Sequence, residues 1–289
     1  MGRSLAILGG SGLYDLPGLE GREELAVDTP FGKPSDAIVR GRIGDTTLLF
    51  LARHGRGHRV LPHRINYRAN VYALKSLGAE FLVSISAVGS LREAIAPGEF
   101  VVVDQFIDAT KARASTFFDG EGCVVHASLA DPVDAALASA LGDAAKDAGA
   151  TVHGTGTYVC IEGPQFGSRA ESEMWRTLGA TVVGMTNAPE YKLAREAELP
   201  FATLAMATDY DCWKLDHAAV TVDDVIAVMH QNVARARSAI VSLAARLPDP
   251  STCPASRALD GAILSDPVDR GEVARLSPLL DRAFAARSV

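Results

Sequence analysis

The chain has 289 residues, 48% hydrophobic and 22% charged, with a formal net charge of −7. This is an ordinary globular composition, long enough to bury a sizeable core, and with no basic block it lacks the electrostatic footprint of a nucleic-acid binder. No apolar run approaches the roughly 20 residues that span a bilayer, and the N-terminus lacks a signal-like h-region, so a cytoplasmic protein without a membrane partner is expected.

Strand-like runs alternate with helical ones along the chain. Residues 5–8 read as a short first strand running into Gly9-Gly10-Ser11-Gly12. Residues 37–43 and 47–52 read as a hairpin around Gly44-Asp45. A helix over 67–77 stops at Gly78, and strands follow at 81–87 and 100–103. An Ala-rich helix spans 134–148, then come a strand at 157–161, a helix at 168–178, a strand at 181–185 and a helix at 189–198. The run 201–207 is a buried strand, and Thr221 is a plausible cap for a long helix over 222–246. The alternation predicts an α/β fold, a single domain with a central mixed β-sheet flanked by helices, over residues 1–247. Pro248-Asp249-Pro250 then breaks the pattern. The tail, 248–289, is expected to pack on its own domain or on a neighbouring subunit through a helix over 273–286.

Chemistry-bearing residues collect where strands end, the place where open α/β sheets bind ligands. Gly9 to Gly12 is either a tight turn or a backbone cradle for an anion, with Ser11 adding a hydroxyl; it lacks the spacing of a dinucleotide or ATP loop. Arg53 and His54 offer a fork and a second donor to a phosphate, or belong to a solvated basic loop. Ser86 and Ala87 lie in a small-residue segment that lets a ligand approach the backbone, or simply turns. Phe166 either stacks on a planar base or packs inward. Thr186 is a further anion donor and Met185 an apolar contact for a sugar face. Asp209 and Asp211, past the 201–207 strand, form a candidate acid/base pair or a hydrogen-bonded turn. No metal-ligand spacing, His-Glu-x-x-His or nucleophile elbow accompanies them. Cys123, Cys160, Cys212 and Cys253 are scattered and read as small buried hydrophobes. The set suits a phosphate plus a flat heterocycle, with no metal and no cofactor.

In order, Asp28-Thr-Pro-Phe-Gly-Lys-Pro-Ser35, Arg53-His-Gly55, Asn66-Tyr-Arg-Ala-Asn70, Ala87-Val-Gly-Ser-Leu-Arg-Glu93, Ile161-Glu-Gly-Pro-Gln-Phe166, Arg169-Ala-Glu-Ser172, Pro189-Glu190 and Ala207-Thr-Asp-Tyr-Asp-Cys-Trp213 resemble the trimeric purine nucleoside phosphorylase family, in its methylthioadenosine phosphorylase branch. The resemblance runs from Gly9 to about Arg246. It implies phosphorolysis of methylthioadenosine to adenine and 5-methylthioribose 1-phosphate, with inorganic phosphate as co-substrate, no cofactor, and a homotrimer or dimer of trimers. It implies phosphate contacts at Ser11, Arg53, His54, Ser86, Ala87 and Thr186. It places Met185 against the ribose, Phe166 beside the purine, and Ile161 and the 222–225 face as walls. His126 would reach the 5′ end of the sugar in an adjacent subunit. Asp209 would protonate purine N7, and Asp211 would order it or accept from the 6-amino group. Gly167, Asn187 and Ala188 depart from the family pattern without removing an expected donor. A 6-oxopurine or methylthioinosine phosphorylase is the nearest alternative, which a carboxylate at 209 argues against because it cannot donate to O6 when ionised. A phosphate-independent nucleosidase and a non-catalytic purine-binding protein are the others.

Overall fold

The computed structural model describes residues 3–214, 222–266 and 268–285; the side chains of residues 11, 222–227 and 229 lie outside what it describes. Along the chain come strands β1 (Ser4–Gly9), β2 (Glu20–Leu25), β3 (Ile38–Ile43) and β4 (Thr46–Ala52), helix α1 (Tyr67–Ser76), then β5 (Phe81–Ser90), β6 (Phe100–Val103) and β7 (Gln105–Ala109). Helix α2 (Ala135–Asp147), β8 (Val152–His153), β9 (Thr157–Ile161), α3 (Arg169–Thr177), β10 (Val182–Gly184), α4 (Asn187–Glu196) and β11 (Phe201–Asp209) follow. Helices α5 (Val222–Ala244), α6 (Arg270–Arg275) and α7 (Asp281–Ala285) complete the order.

The strands form one mixed sheet centred on β5. β11 runs parallel to β5 along one edge, from Leu82 to Gly89. The other edge is shared: β1 takes its first half in parallel, and β10 takes Gly89 and Ser90 in the opposite direction. β4 lies parallel beyond β1, with β3 and β2 antiparallel outside it. β9 and β7 extend from β10, all parallel to one another. β6 pairs antiparallel with β11, and β8 follows β6. Two sets of strands running in opposite senses therefore meet on the carboxyl half of β5, and their ends converge there.

The helices start where their caps are. Asn66, Asp134 and Ser168 accept from the backbone of the first turns of α1, α2 and α3, and Ser168 closes a capping box with Glu171. One sheet face packs against α1, α4 and the tail through Val71, Leu74, Leu193, Leu259 and Leu276. The other packs against α2 and α5 through Leu137, Leu141, Ile240 and Leu243. Each such side chain contributes roughly 1.5–3 kcal/mol of burial.

The structure departs from the sequence reading in a few places. β5 runs on to Ser90, and β10 is shorter than 181–185. β2 carries exposed charges on an edge strand and so shows no apolar alternation. The tail helix expected over 273–286 is two short helices, because Pro278 between them cannot donate to an intact turn. α5 ends at Ala244, and the cap at Thr221 lies outside the described residues. The tail folds onto its own chain: Glu198 pairs with Arg282 and accepts from the Leu259 amide at 2.9 Å. No described helix is long and apolar enough to cross a membrane.

Candidate active site

At the carboxyl half of β5 the side chains turn small and polar. Ser86 is buried, and Ala87, in a strand that is otherwise almost wholly buried, is exposed. The Ser86 hydroxyl lies 3.2 Å from that of Thr186 and 3.3 Å from that of Tyr158. Thr186 reaches this place because β10 runs against β5 and delivers its end beside Ser86. Gly184 must lack a side chain, since a Cβ there would overlap the Tyr158 hydroxyl. The result is a knot of hydroxyls below an accessible stretch of backbone, a suitable floor for an oxyanion. Tyr158 was not singled out by the sequence reading, because a Tyr inside an apolar strand looks like core.

Arg53 enters from the end of β4. Its side chain is 3% exposed and faces inward. Nε and Nη2 engage Glu190 of α4 at 2.5 and 3.0 Å, Nη2 also donates to Ser84 at 2.6 Å, and Nη1 donates to the Ile85 carbonyl at 3.2 Å. The fork that the sequence reading offered to phosphate is thus taken by a carboxylate. Among the described residues, one Nη1 N–H remains for a ligand. Glu190 is the missed partner; it lies within the Pro189-Glu190 motif, but only the fold brings it to Arg53.

The His54 ring is oriented by its own loop. Its Nδ1 lies 2.8 Å from the Val60 carbonyl, which can only accept, and its ring stacks on His58 at 4.2 Å. Burial, with Arg53, His58 and Arg113 nearby, pushes the imidazole down to about 4. The ring is therefore neutral near pH 7 with its proton on Nδ1, leaving Nε2 as an acceptor rather than a second donor.

The acidic end is built by β11. Ala207 pairs with Val88 and Asp209 with Gly89, so Thr208 is an extra residue in the ladder and the bulge re-aims Asp209. Gly89 permits the close approach: a Cβ there would sit 3.0 Å from Asp209 Oδ1 and 3.2 Å from Asp211 Cβ. Asp209 Oδ1 accepts from the Asp211 amide at 2.7 Å, and Oδ2 lies 2.7 Å from the Thr208 hydroxyl. That hydroxyl is also 3.2 Å from the Val88 carbonyl. If Thr208 gives its proton to Val88, a proton on Asp209 Oδ2 completes the set. Burial is the main cause that pushes the Asp209 carboxyl above its usual range, and the Asp211 charge adds to it. Asp211, at φ +50°, is also raised by burial; the buried Ser172 hydroxyl faces it without closing a well-formed hydrogen bond. The loop is held by Trp213, whose indole donates to the Ser90 carbonyl at 2.8 Å under the Arg176 guanidinium.

The remaining predicted residues border these two ends. Met185 precedes Thr186, and a Cβ on Gly163 would press on its sulfur, so the loop after Ile161 lies against Met185. The 166–167 loop meets the acidic loop where Cys212 Sγ contacts the Gly167 carbonyl at 3.5 Å. Phe166 is 74% exposed on this chain and does not pack inward. His126 is exposed, on a segment whose backbone pairs with residues 262–264 of the tail. The Ser11 side chain and the 222–225 face lie outside the described side chains. A separate cleft of about 610 Å³ opens at the amino ends of β1 and β4, lined by Glu20, Glu23, Arg40 and Arg42; none of the predicted residues lines it.

Comparison with known proteins adds to this geometry. The family model described as the phosphorylase superfamily matches residues 4–245. The chain is 52% identical over 267 residues to S-methyl-5′-thioadenosine phosphorylase of Geobacter sulfurreducens, covering 92% of this chain and 93% of that protein. It is 49% identical over 264 residues to the protein of the same name from Hyperthermus butylicus, covering 90% and 95%. The crystal structure of a methylthioadenosine phosphorylase from an Antarctic soil metagenomic library superposes with a TM-score of 0.90 at 44% identity, covering 96% of this chain and 99% of that one. The Schistosoma mansoni methylthioadenosine phosphorylase in complex with adenine superposes with a TM-score of 0.81 at 36% identity, covering 90% and 96%.

Proposed function

The chain belongs to the phosphorylase superfamily, among the methylthioadenosine phosphorylases, and we propose that it cleaves S-methyl-5′-thioadenosine with inorganic phosphate to adenine and 5-methylthioribose 1-phosphate. One observation carries the reading. The hydroxyl knot and the raised carboxyl are both ranged along β5: Thr186 comes in beside Ser86, and Asp209 of β11 stands beside Gly89. Three residues of strand separate them by about 10 Å, room for a sugar between an anion and a base.

Leaving of the purine builds positive charge at C1′ and negative charge on the base. Phosphate on Ser86, Thr186, the Ala87 backbone, Ser11 and the spare Arg53 N–H would stabilise the cationic sugar and then bond to C1′. His54 Nε2, as an acceptor, suits a phosphate that still carries a proton. Asp209, protonated through burial, would donate to N7 so that adenine departs neutral, a contribution of about 10²–10⁴-fold. Asp211 would accept from the 6-amino group. Met185 would meet the ribose, and Ile161 and Phe166 the purine. We further propose a cytoplasmic homotrimer that needs no cofactor besides phosphate; the exposure of Phe166 and His126 on a single chain fits sites completed by a second copy.

The test is a rate panel of methylthioadenosine, adenosine, inosine and methylthioinosine, with and without phosphate. Phosphate-dependent release of adenine is expected; a rate unchanged without phosphate would make the enzyme a nucleosidase, and preference for inosine would overturn the assignment of Asp211 to the 6-amino group.

A further inference from the structure

Arg113, between β7 and α2, has no part in the chemistry above, yet its side chain is 2% exposed and all its donors point into the floor of the site. Nη1 donates to the carbonyls of Met185 at 2.8 Å and Ala188 at 2.6 Å and to the Tyr67 hydroxyl at 2.9 Å. Nη2 donates to the carbonyls of Glu162 at 2.7 Å and Ile161 at 3.3 Å, and Nε faces the Glu162 carboxylate at 3.4 Å. Tyr67 in turn donates to the Pro62 carbonyl at 2.9 Å, in the loop that follows His54. One guanidinium thus joins the end of β9 to the 185–188 stretch that leads from β10 into α4, just past the last rung of the β9–β10 ladder at Cys160 and Gly184.

The loop carrying Arg113 is itself clamped. The Lys111 amide donates to Glu162 at 2.5 Å, and Thr116 and the Phe117 amide donate to Glu196 of α4 at 2.7 and 2.8 Å. Such a clamp fixes where the guanidinium sits, and the guanidinium fixes where the carbonyls sit. We propose that Arg113 is a positioning residue for the nucleoside half of the site, setting the distance between Met185 under the sugar and the Ile161–Glu162 backbone beside the base. This rests on the assignment of those residues to the nucleoside. Thr186, between the held carbonyls of Met185 and Ala188, has further contacts of its own to Ser86 and Tyr158, so the phosphate floor leans on Arg113 less than the nucleoside half does.

The planar fork matters more than the charge. Lysine has one nitrogen and cannot span five carbonyl and hydroxyl acceptors. Misplacement by about 1 Å at a reacting centre costs on the order of 10²-fold.

The experiment compares Arg113→Lys, Arg113→Met and Arg113→Ala with the wild type in thermal unfolding, steady-state kinetics in both substrates, and calorimetric binding of adenine. Expected in both Lys and Met variants is a fall of about 10²-fold in kcat/KM for methylthioadenosine, with KM for the nucleoside raised and KM for phosphate within about threefold. Added guanidinium ion should restore part of the activity of the Ala variant, and methylammonium should not. Retention of kcat/KM within threefold in the Met variant, or an equal rise of both KM values, overturns the proposal. If the Met variant does not fold, the Lys variant decides by the same split. If the wild type shows no phosphorolysis, the reaction assignment fails, and weakened adenine binding in the variants still reports on Arg113.

Discussion

Replacing Asp209 by Asn separates catalysis from stability more cleanly than any other change at this site. An Asn carbonyl at the Oδ1 position can still accept from the Asp211 amide, and its NH₂ can donate to Thr208, whose own proton then goes to Val88. Every hydrogen bond of the loop is kept, while a carboxyl that burial disfavours in its charged form is removed. The folded state binds a proton at Asp209 that the unfolded chain releases above the ordinary carboxylate value of 3.8, so stability contributed here falls as pH rises from 3.8 towards the raised folded value. In the Asn variant that slope disappears, and its unfolding midpoint at neutral pH should equal or exceed that of the wild type. Catalysis should fall by about 10²–10⁴-fold in kcat for methylthioadenosine, since an amide cannot give up a proton to N7. Stopped assays of adenine release, paired with urea unfolding at several pH values, measure both. Turnover within about threefold of wild type would refute the proton-donor role, and a large loss of stability would refute the hydrogen-bond reasoning.

Other perturbations read other parts of the structure. Glu190→Ala leaves the Arg53 charge buried without its carboxylate and should destabilise by about 3–5 kcal/mol in denaturant unfolding, whatever it does to phosphate binding. Burial raises Glu196 from 4.5 to about 7, so its contribution to stability falls as pH rises through that interval. Glu196→Gln should flatten the pH dependence of stability there by on the order of 2–3 kcal/mol, as followed by unfolding at pH 5 and pH 8. Gly89→Ala brings a methyl to 3.0 Å from Asp209 Oδ1; kcat should fall at least tenfold with only a small shift in Tm, and unchanged kinetics would show that the acidic loop has room.

Much of this was legible in the chain. The strands at 81–87 and 201–207 announce themselves by apolar runs, and the helix over 67–77 by the Gly78 that stops it. The family resemblance is confirmed by the match over residues 4–245 and by relatives near 50% identity. What could not be read was partnership across the fold. Glu190 lies 137 positions from Arg53, and nothing local says that it takes the fork meant for phosphate. The tautomer of His54 depends on a carbonyl six residues away whose direction only the loop geometry sets. Arg113 looks like one more surface cation until its acceptors are seen. The broken tail helix was legible, since Pro278 stands inside the predicted span.

Because Ser86 and Gly89 belong to one strand, the spacing between the position that faces the anion and the position that faces the acid is set by strand geometry, and the β11 ladder brings Asp209 to the second of them. β5 acts as a ruler on which both halves of the substrate are marked. Core substitutions that loosen the helices on either face would then deplete the folded population well before they altered the register of the two ends. Inactivating changes far from the cleft should show lowered abundance with near-normal specific activity, and nucleoside analogues lengthened between sugar and base should be excluded whatever their affinity for either end alone.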